Sequence, residues 1–208
     1  MQLSGFLGHL LSCFFFWGML SMPASALSDG QKTGTSITHS LNWQVFRSEK
    51  AGKTGSISFY SEGRGRIFEK YSDKTELLKS PAGLSLYCVA SNHDLSVSIM
   101  PPAEAILNTQ QDHTATYKLD DDIFRELPLT SPATVRAYLS EDFNVPEDMP
   151  LPFKVMFPNI TRALAFNLMN SKKLIVRMKT MTGDILEMEF PTAGLKPLAK
   201  ESRRLCWW

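Results

Sequence analysis

From Leu41 onward the chain alternates apolar and polar residues in short runs separated by turn-forming residues. Leu41-Asn-Trp-Gln-Val-Phe46 predicts a first strand, with Leu41, Trp43 and Val45 sharing one face. Gly52 to Gly55 is a turn signal and Ser56 to Tyr60 a returning strand, so the pattern predicts a hairpin. Glu62-Gly-Arg-Gly-Arg66 then interrupts it, and its two glycines predict a loop tip. Leu84 to Val89 and Leu95 to Ile99 predict a second hairpin around Ala90 to Asp94, stopped by Pro101 and Pro102, which lack the donor a ladder needs. Thr114 to Leu119 is rich in β formers and ends at Asp120, Asp121 and Asp122.

Pro128, Pro132, Pro146, Pro150, Pro152 and Pro158 make Leu127 to Pro158 read mostly as turns and loop, with room for one short helix between Pro132 and Phe143. Pro158-Asn159 opens a helix with Asn159 as its N-cap, and Ile160, Ala163, Leu164, Asn167 and Leu168 recur at helical spacing. Leu174 to Thr180 and Ile185 to Phe190 form a hairpin about Met181 to Asp184. A last helix runs from about Gly194 to Leu205, with Leu195, Leu198, Ala199, Ser202 and Leu205 as its inner stripe. This order predicts an α+β domain: an antiparallel sheet with helices near the C-terminus.

The run Phe6 to Met22 is apolar and is followed by Pro23-Ala-Ser-Ala26, an export signal with a cleavage site after Ala26. No Lys or Arg precedes the run, and the alternative is an uncleaved anchor, although the run is short for a span and broken by Gly and Ser. The chain then divides into a leader (1–26), a flexible lead-in rich in Gly, Ser and Thr (27–40) and one domain (41–208). The expected location is the periplasm or the exterior, with no stable membrane insertion once the leader is removed. A hydrophobic content of 43% with a formal net charge of +1 argues against a disordered chain and against a nucleic-acid partner.

Outside the leader only Cys88 and Cys206 remain, and in an oxidising compartment such a pair is expected to bridge, closing one domain. Two separate buried thiols are the alternative. Trp207 and Trp208 either pack over that bridge or present an aromatic anchor, a residue type favoured in binding hot spots; packing is expected for Trp207, and Trp208 is left open. Arg203 and Arg204, with Lys196 and Lys200, form the outer face of the last helix and suit either solvent or an acidic partner.

His93-Asp94 and Asp112-His113 fall in predicted loops, where solvated side chains are commoner than a base with its orienting carboxylate. The acidic run at Asp120 lacks the glycine turn and distal glutamate of a calcium loop, and reads as a strand end or cap. No nucleophile motif or metal-ligand spacing appears. The residues therefore point to a non-enzymatic protein without a cofactor or metal.

The assembled pattern resembles the TagO/VasI-type family of type VI secretion-associated exported proteins. The features that carry the resemblance are the Trp43-Gln-Val45 strand, Leu84-Ser-Leu-Tyr-Cys88, Tyr117-Lys-Leu-Asp120, the helix–hairpin, and the ending from Phe190 through Gly194-Leu195 to Cys206-Trp207. It covers most of the chain from Leu41, with Tyr87 and Lys118 standing where a basic residue and an arginine are expected. Invasion-associated secreted proteins share the opening strand but place a cysteine just after it, where this chain has Phe46-Arg47. The resemblance implies an accessory protein whose partners are envelope or secretion-system proteins. The alternative is a secreted or surface-exposed interaction factor unrelated to such machinery.

Overall fold

A computed structural model of the chain describes residues 34–50, 53–141 and 144–208. The leader, the cleavage point near Ala26 and the first part of the lead-in lie outside the described residues. β1 (Gly34–Ser40), β2 (Trp43–Lys50) and the long β3 (Lys53–Phe68) form an antiparallel meander. β4 (Thr75–Leu77) and β5 (Ala82–Val89) lie one after the other along one edge of β3, pairing with Arg66–Phe68 and with Ser56–Gly63. β6 (Asp94–Met100) pairs with β5, and β7 (His113–Leu119) with β8 (Arg125–Thr130).

Short β9 (Phe153–Val155) bridges β6 and β8. β10 (Lys173–Lys179) lies against β7, and β11 (Ile185–Pro191) returns to β3 at Arg64–Phe68. Passing from β3 through β5, β6, β9, β8, β7, β10 and β11 leads back to β3, so the sheet closes on itself with every pairing antiparallel.

Closure gives the alternating strands an inside. Ile57, Phe59, Leu84, Leu86, Val97, Ile99, Leu127, Leu129, Phe153, Val176, Met188 and Phe190 all belong to one buried cluster. A ring of this size is just wide enough for side chains to fill its interior. Four short helices complete the described chain: α1 (Pro132–Ser140), α2 (Pro158–Leu168), α3 (Leu195–Leu198) and α4 (Lys200–Cys206). α2 packs Leu164, Ala165 and Leu168 into the same cluster against β6 and β9. The Trp43 indole is buried too, and its Nε1 donates to the Thr192 carbonyl at 3.2 Å, tying β2 to the segment that leads into α3.

The antiparallel sheet, the disulfide and the C-terminal helices agree with the sequence reading, but the balance differs: the described chain is mostly sheet. Gly34–Ser40, read as lead-in, forms β1. Leu41 sits in the β1–β2 turn with φ 50° and is 81% exposed, so it does not share the face of Trp43 and Val45.

Glu62 to Arg66 is no loop tip but the middle of β3. Its glycines are sites of close approach: a Cβ on Gly65 would come 2.5 Å from Pro102 Cγ. The proline-rich stretch holds two strands as well as α1. Pro128 is tolerated in β8 because only its carbonyl is used, accepting from Met156 N at 3.0 Å.

Asn159 does not cap α2. Extended Phe157 is the N-cap residue and Pro158 begins the helix, where a missing N–H costs nothing. The last helix is broken into α3 and α4 at Ala199 and entered through Gly194, whose φ of 94° is the left-handed region that favours glycine. Leu195, Ala199 and Ser202 of its stripe are buried, whereas Leu198 and Leu205 are only partly so.

Candidate functional site: a clamped aromatic surface

Cys88, on the inward face of β5, and Cys206, at the end of α4, form a disulfide across a sequence separation of 118, with Cα atoms 6.0 Å apart. Closing so long a loop removes denatured-state entropy worth about 4–5 kcal/mol in the chain-entropy model. A second tie fixes the start of the same helix: Glu201 accepts from Arg47 Nε of β2 at 3.0 Å and from Thr54 Oγ1 of β3 at 2.7 Å. α4 is thus bound to the sheet at both ends, and this holds the last two residues of the chain in place.

The first of them, Trp207, lies in the left-handed region with φ 54°, which ends the helix and turns the indole outward. Trp207 is 68% exposed, while Trp208 folds back into the core. This reverses the expectation that Trp207 packs over the bridge. The Trp207 ring stacks on His93 in the β5–β6 turn, with centroids 3.8 Å apart and planes 20° from parallel. His93, itself at φ 55°, directs Nδ1 at the Leu205 carbonyl; since that oxygen only accepts, the proton sits on Nδ1.

Arg203 lies four positions before Trp207. Its Nε donates to the main-chain oxygen of Trp208 at 2.8 Å, and its guanidinium stands 5.8 Å from the centroid of Phe166, which is 48% exposed on α2. Arg204 is exposed beside them. The structure therefore stacks Trp207 on His93, sets Arg203 over Phe166, leaves Arg204 exposed on the same helix, and buries Trp208. A planar aromatic whose rotamer is already fixed offers apolar area at little entropic cost on binding.

In the sequence His93 reads as a solvated residue of a hairpin tip, weighed with Asp94 as a base and its orienter and not as a stacking partner. The only hint lay in its place in the turn that follows Cys88, since a disulfide brings the segments around both cysteines together.

The remaining candidates go elsewhere. His113 Nε2 lies 2.7 Å from the Asn108 carbonyl and its ring meets Phe153 edge-on. Asp112 is spent on α1, accepting from Ser131 N at 2.8 Å, while the Ser131 hydroxyl caps the helix by accepting from Thr134 N. Asp120 accepts from the backbone N–H groups of Lys172 and Lys173, both at 2.9 Å, so it anchors the start of β10. Asp122 pairs with Arg125 at 2.7 Å. Among the described residues no group of His, Cys, Asp and Glu converges in a way that could hold a metal ion, and no helix is long and apolar enough to cross a membrane.

Comparison with protein-family models, with curated proteins and with solved structures finds no match.

Proposed function

We propose that this chain is an exported, non-enzymatic accessory protein that acts through protein contacts at the cell envelope, in association with a type VI-like secretion system. The observation that carries the contact reading is Trp207: exposed, stacked on His93, and held by a helix that a disulfide and the Glu201 bonds fasten to the sheet. Export is supported by the apolar leader and by a disulfide that an oxidising compartment sustains. The secretion-system association rests on the resemblance carried by Trp43-Gln-Val45, Leu84 to Cys88 and the Cys206-Trp207 ending.

The test uses a strain that carries both this gene and a contractile secretion system. Deleting the gene is expected to lower the amount of tube protein released into the medium; wild-type chain restores release, and the Trp207→Ala chain, exported and folded to the same level, does not. Unchanged release on deletion overturns the secretion role. If the folded Trp207→Ala chain restores full release, the aromatic surface is not the contact.

A further inference from the structure

Away from the aromatic surface, the outward face of β3, β11, β10 and β7 carries a buried carboxylate. Glu187 of β11 stands between Leu186 and Met188, which both face the core, and lies directly opposite Arg66 of β3 and Arg177 of β10. Its side chain is only 3% exposed. Arg66 donates to Oε1 through Nε at 2.8 Å and through one terminal nitrogen, while Arg177 Nε donates to Oε2 at 2.7 Å. The Arg66 and Arg177 side chains are 44% and 43% exposed.

The Phe124 ring lies 4.2 Å from the Arg177 guanidinium and 5.2 Å from Lys118 Nζ, so both cations contact the same aromatic ring. Arg66 is braced in the same way by Phe68 at 5.3 Å.

Burying a carboxylate on the exterior of a sheet carries a desolvation cost that an apolar residue would avoid. What it accomplishes here is orientation. Both arginines turn their Nε edges toward Glu187, and among the described residues neither terminal nitrogen of Arg177 has a hydrogen bond to the protein. The Lys118 ammonium likewise has no hydrogen bond or ion pair among the described residues and stands over the Phe124 ring. Donors held this way bind an oxyanion without first losing side-chain freedom.

The charge count selects the anion. Arg66, Arg177 and Lys118 against Glu187 leave two positive charges; of the other outward carboxylates, Glu189 is paired with Lys173 at 3.9 Å, and Glu126 stands beyond Thr116, one strand further from Arg177. A phosphate monoester, close to a dianion at neutral pH, balances that excess, whereas a lone carboxylate leaves half of it.

We propose that Arg66 and Arg177, both held by buried Glu187, together with Lys118, which shares the Phe124 ring with Arg177, form a binding site for a phosphate monoester group. This goes beyond the protein contacts proposed above and uses a different face of the ring.

Titration calorimetry of the oxidised chain, at matched ionic strength and a pH above the second phosphate pKa, tests it with inorganic phosphate, glycerol 3-phosphate and acetate. Saturable binding of the two phosphates is expected, with acetate weaker by about tenfold. Tighter binding of glycerol 3-phosphate assigns the site to an esterified group; equal binding assigns it to the phosphate itself.

Among the described residues the Lys118 side chain makes no hydrogen bond or ion pair, so Lys118→Gln is expected to weaken phosphate binding about tenfold without changing the melting temperature. Arg162→Gln, on the outer side of α2, is expected to change nothing. For the positioning role, Glu187→Gln is the decisive variant: it raises the net charge, so a pure charge effect strengthens binding, whereas loss of orientation weakens it. Absence of saturable binding, equal binding of acetate, or full affinity in Lys118→Gln overturns the site; stronger binding in Glu187→Gln overturns the positioning role.

Discussion

At Gly63 the backbone of β3 passes so close to β11 that a Cβ would lie 2.5 Å from Phe190 Cδ1 and closer still to the Glu189 carbonyl. Neither a closed backbone ladder nor a fully buried aromatic ring moves easily. Gly63→Ala is therefore expected to lower stability by about 1–3 kcal/mol, read as a fall in the denaturant midpoint. A midpoint unchanged from wild type would show that the seam yields.

Glu187 makes a pH prediction. Burial alone raises its pKa, but the bonds from Arg66 and Arg177 outweigh that and hold it below the ordinary carboxylate value. A group depressed in this way favours the folded state when ionised. Its contribution is complete above the ordinary carboxylate range, about pH 4, and is lost as pH falls through the folded value. Melting curves from neutral to acid pH should fall less steeply for Glu187→Gln than for wild type; parallel curves would show that the triad adds no acid-labile stability.

Neither residue declared itself in the sequence. A glycine that makes room for a distant ring looks the same as one that makes a turn, and alternation places Glu187 outward without showing that two arginines cover it.

Among the elements, α4 shows which features a local pattern reveals. Its position, the burial of Ser202 and its cysteine partner were legible, because amphipathic spacing and a pair of cysteines in an exported chain are local or compositional signals, although Leu205 of the expected stripe is only partly buried. The break at Ala199 and the outward turn of Trp207 were not, because they depend on backbone angles. β8 and β9 were hidden for a related reason: prolines announce loops, yet Pro128 needs only its carbonyl and β9 is three residues long.

Since α4 is fastened at Cys206 and at Glu201, the two ties can be separated. Replacing both cysteines by serine is expected to cost about 2–5 kcal/mol and to raise the solvent accessibility of Trp207 as its stacking on His93 loosens, measured by fluorescence quenching. Glu201→Gln breaks only the Arg47 and Thr54 contacts, which are partly exposed, and should cost about 1 kcal/mol or less with Trp207 unchanged. Equal effects on Trp207 from both variants would contradict the assignment of the bridge as the clamp of the aromatic surface.

At the scale of the whole molecule the governing fact is the closure of the sheet. β3 serves two neighbours in succession: Ser56–Gly63 pair with β5, and Arg64–Phe68 pair with β11 near the other end of the chain. The hairpins were visible as alternating runs, but nothing local shows that the last of them returns to β3, so the sequence reading stopped at an antiparallel sheet. A ring has no internal edge at which to fray, and its strands share one core, so opening one seam exposes the side chains lining the others.

Phe190 sits at the closing seam and is fully buried. Phe190→Ala should cost about 3–5 kcal/mol. The more telling readout is amide exchange: protection is expected to fall together in β11, in both halves of β3 and in β5, which meets β3 on its opposite edge. Loss confined to β10 and β11, with β5 still protected to the wild-type level, would mean that the C-terminal hairpin opens by itself and that the ring is not one cooperative unit.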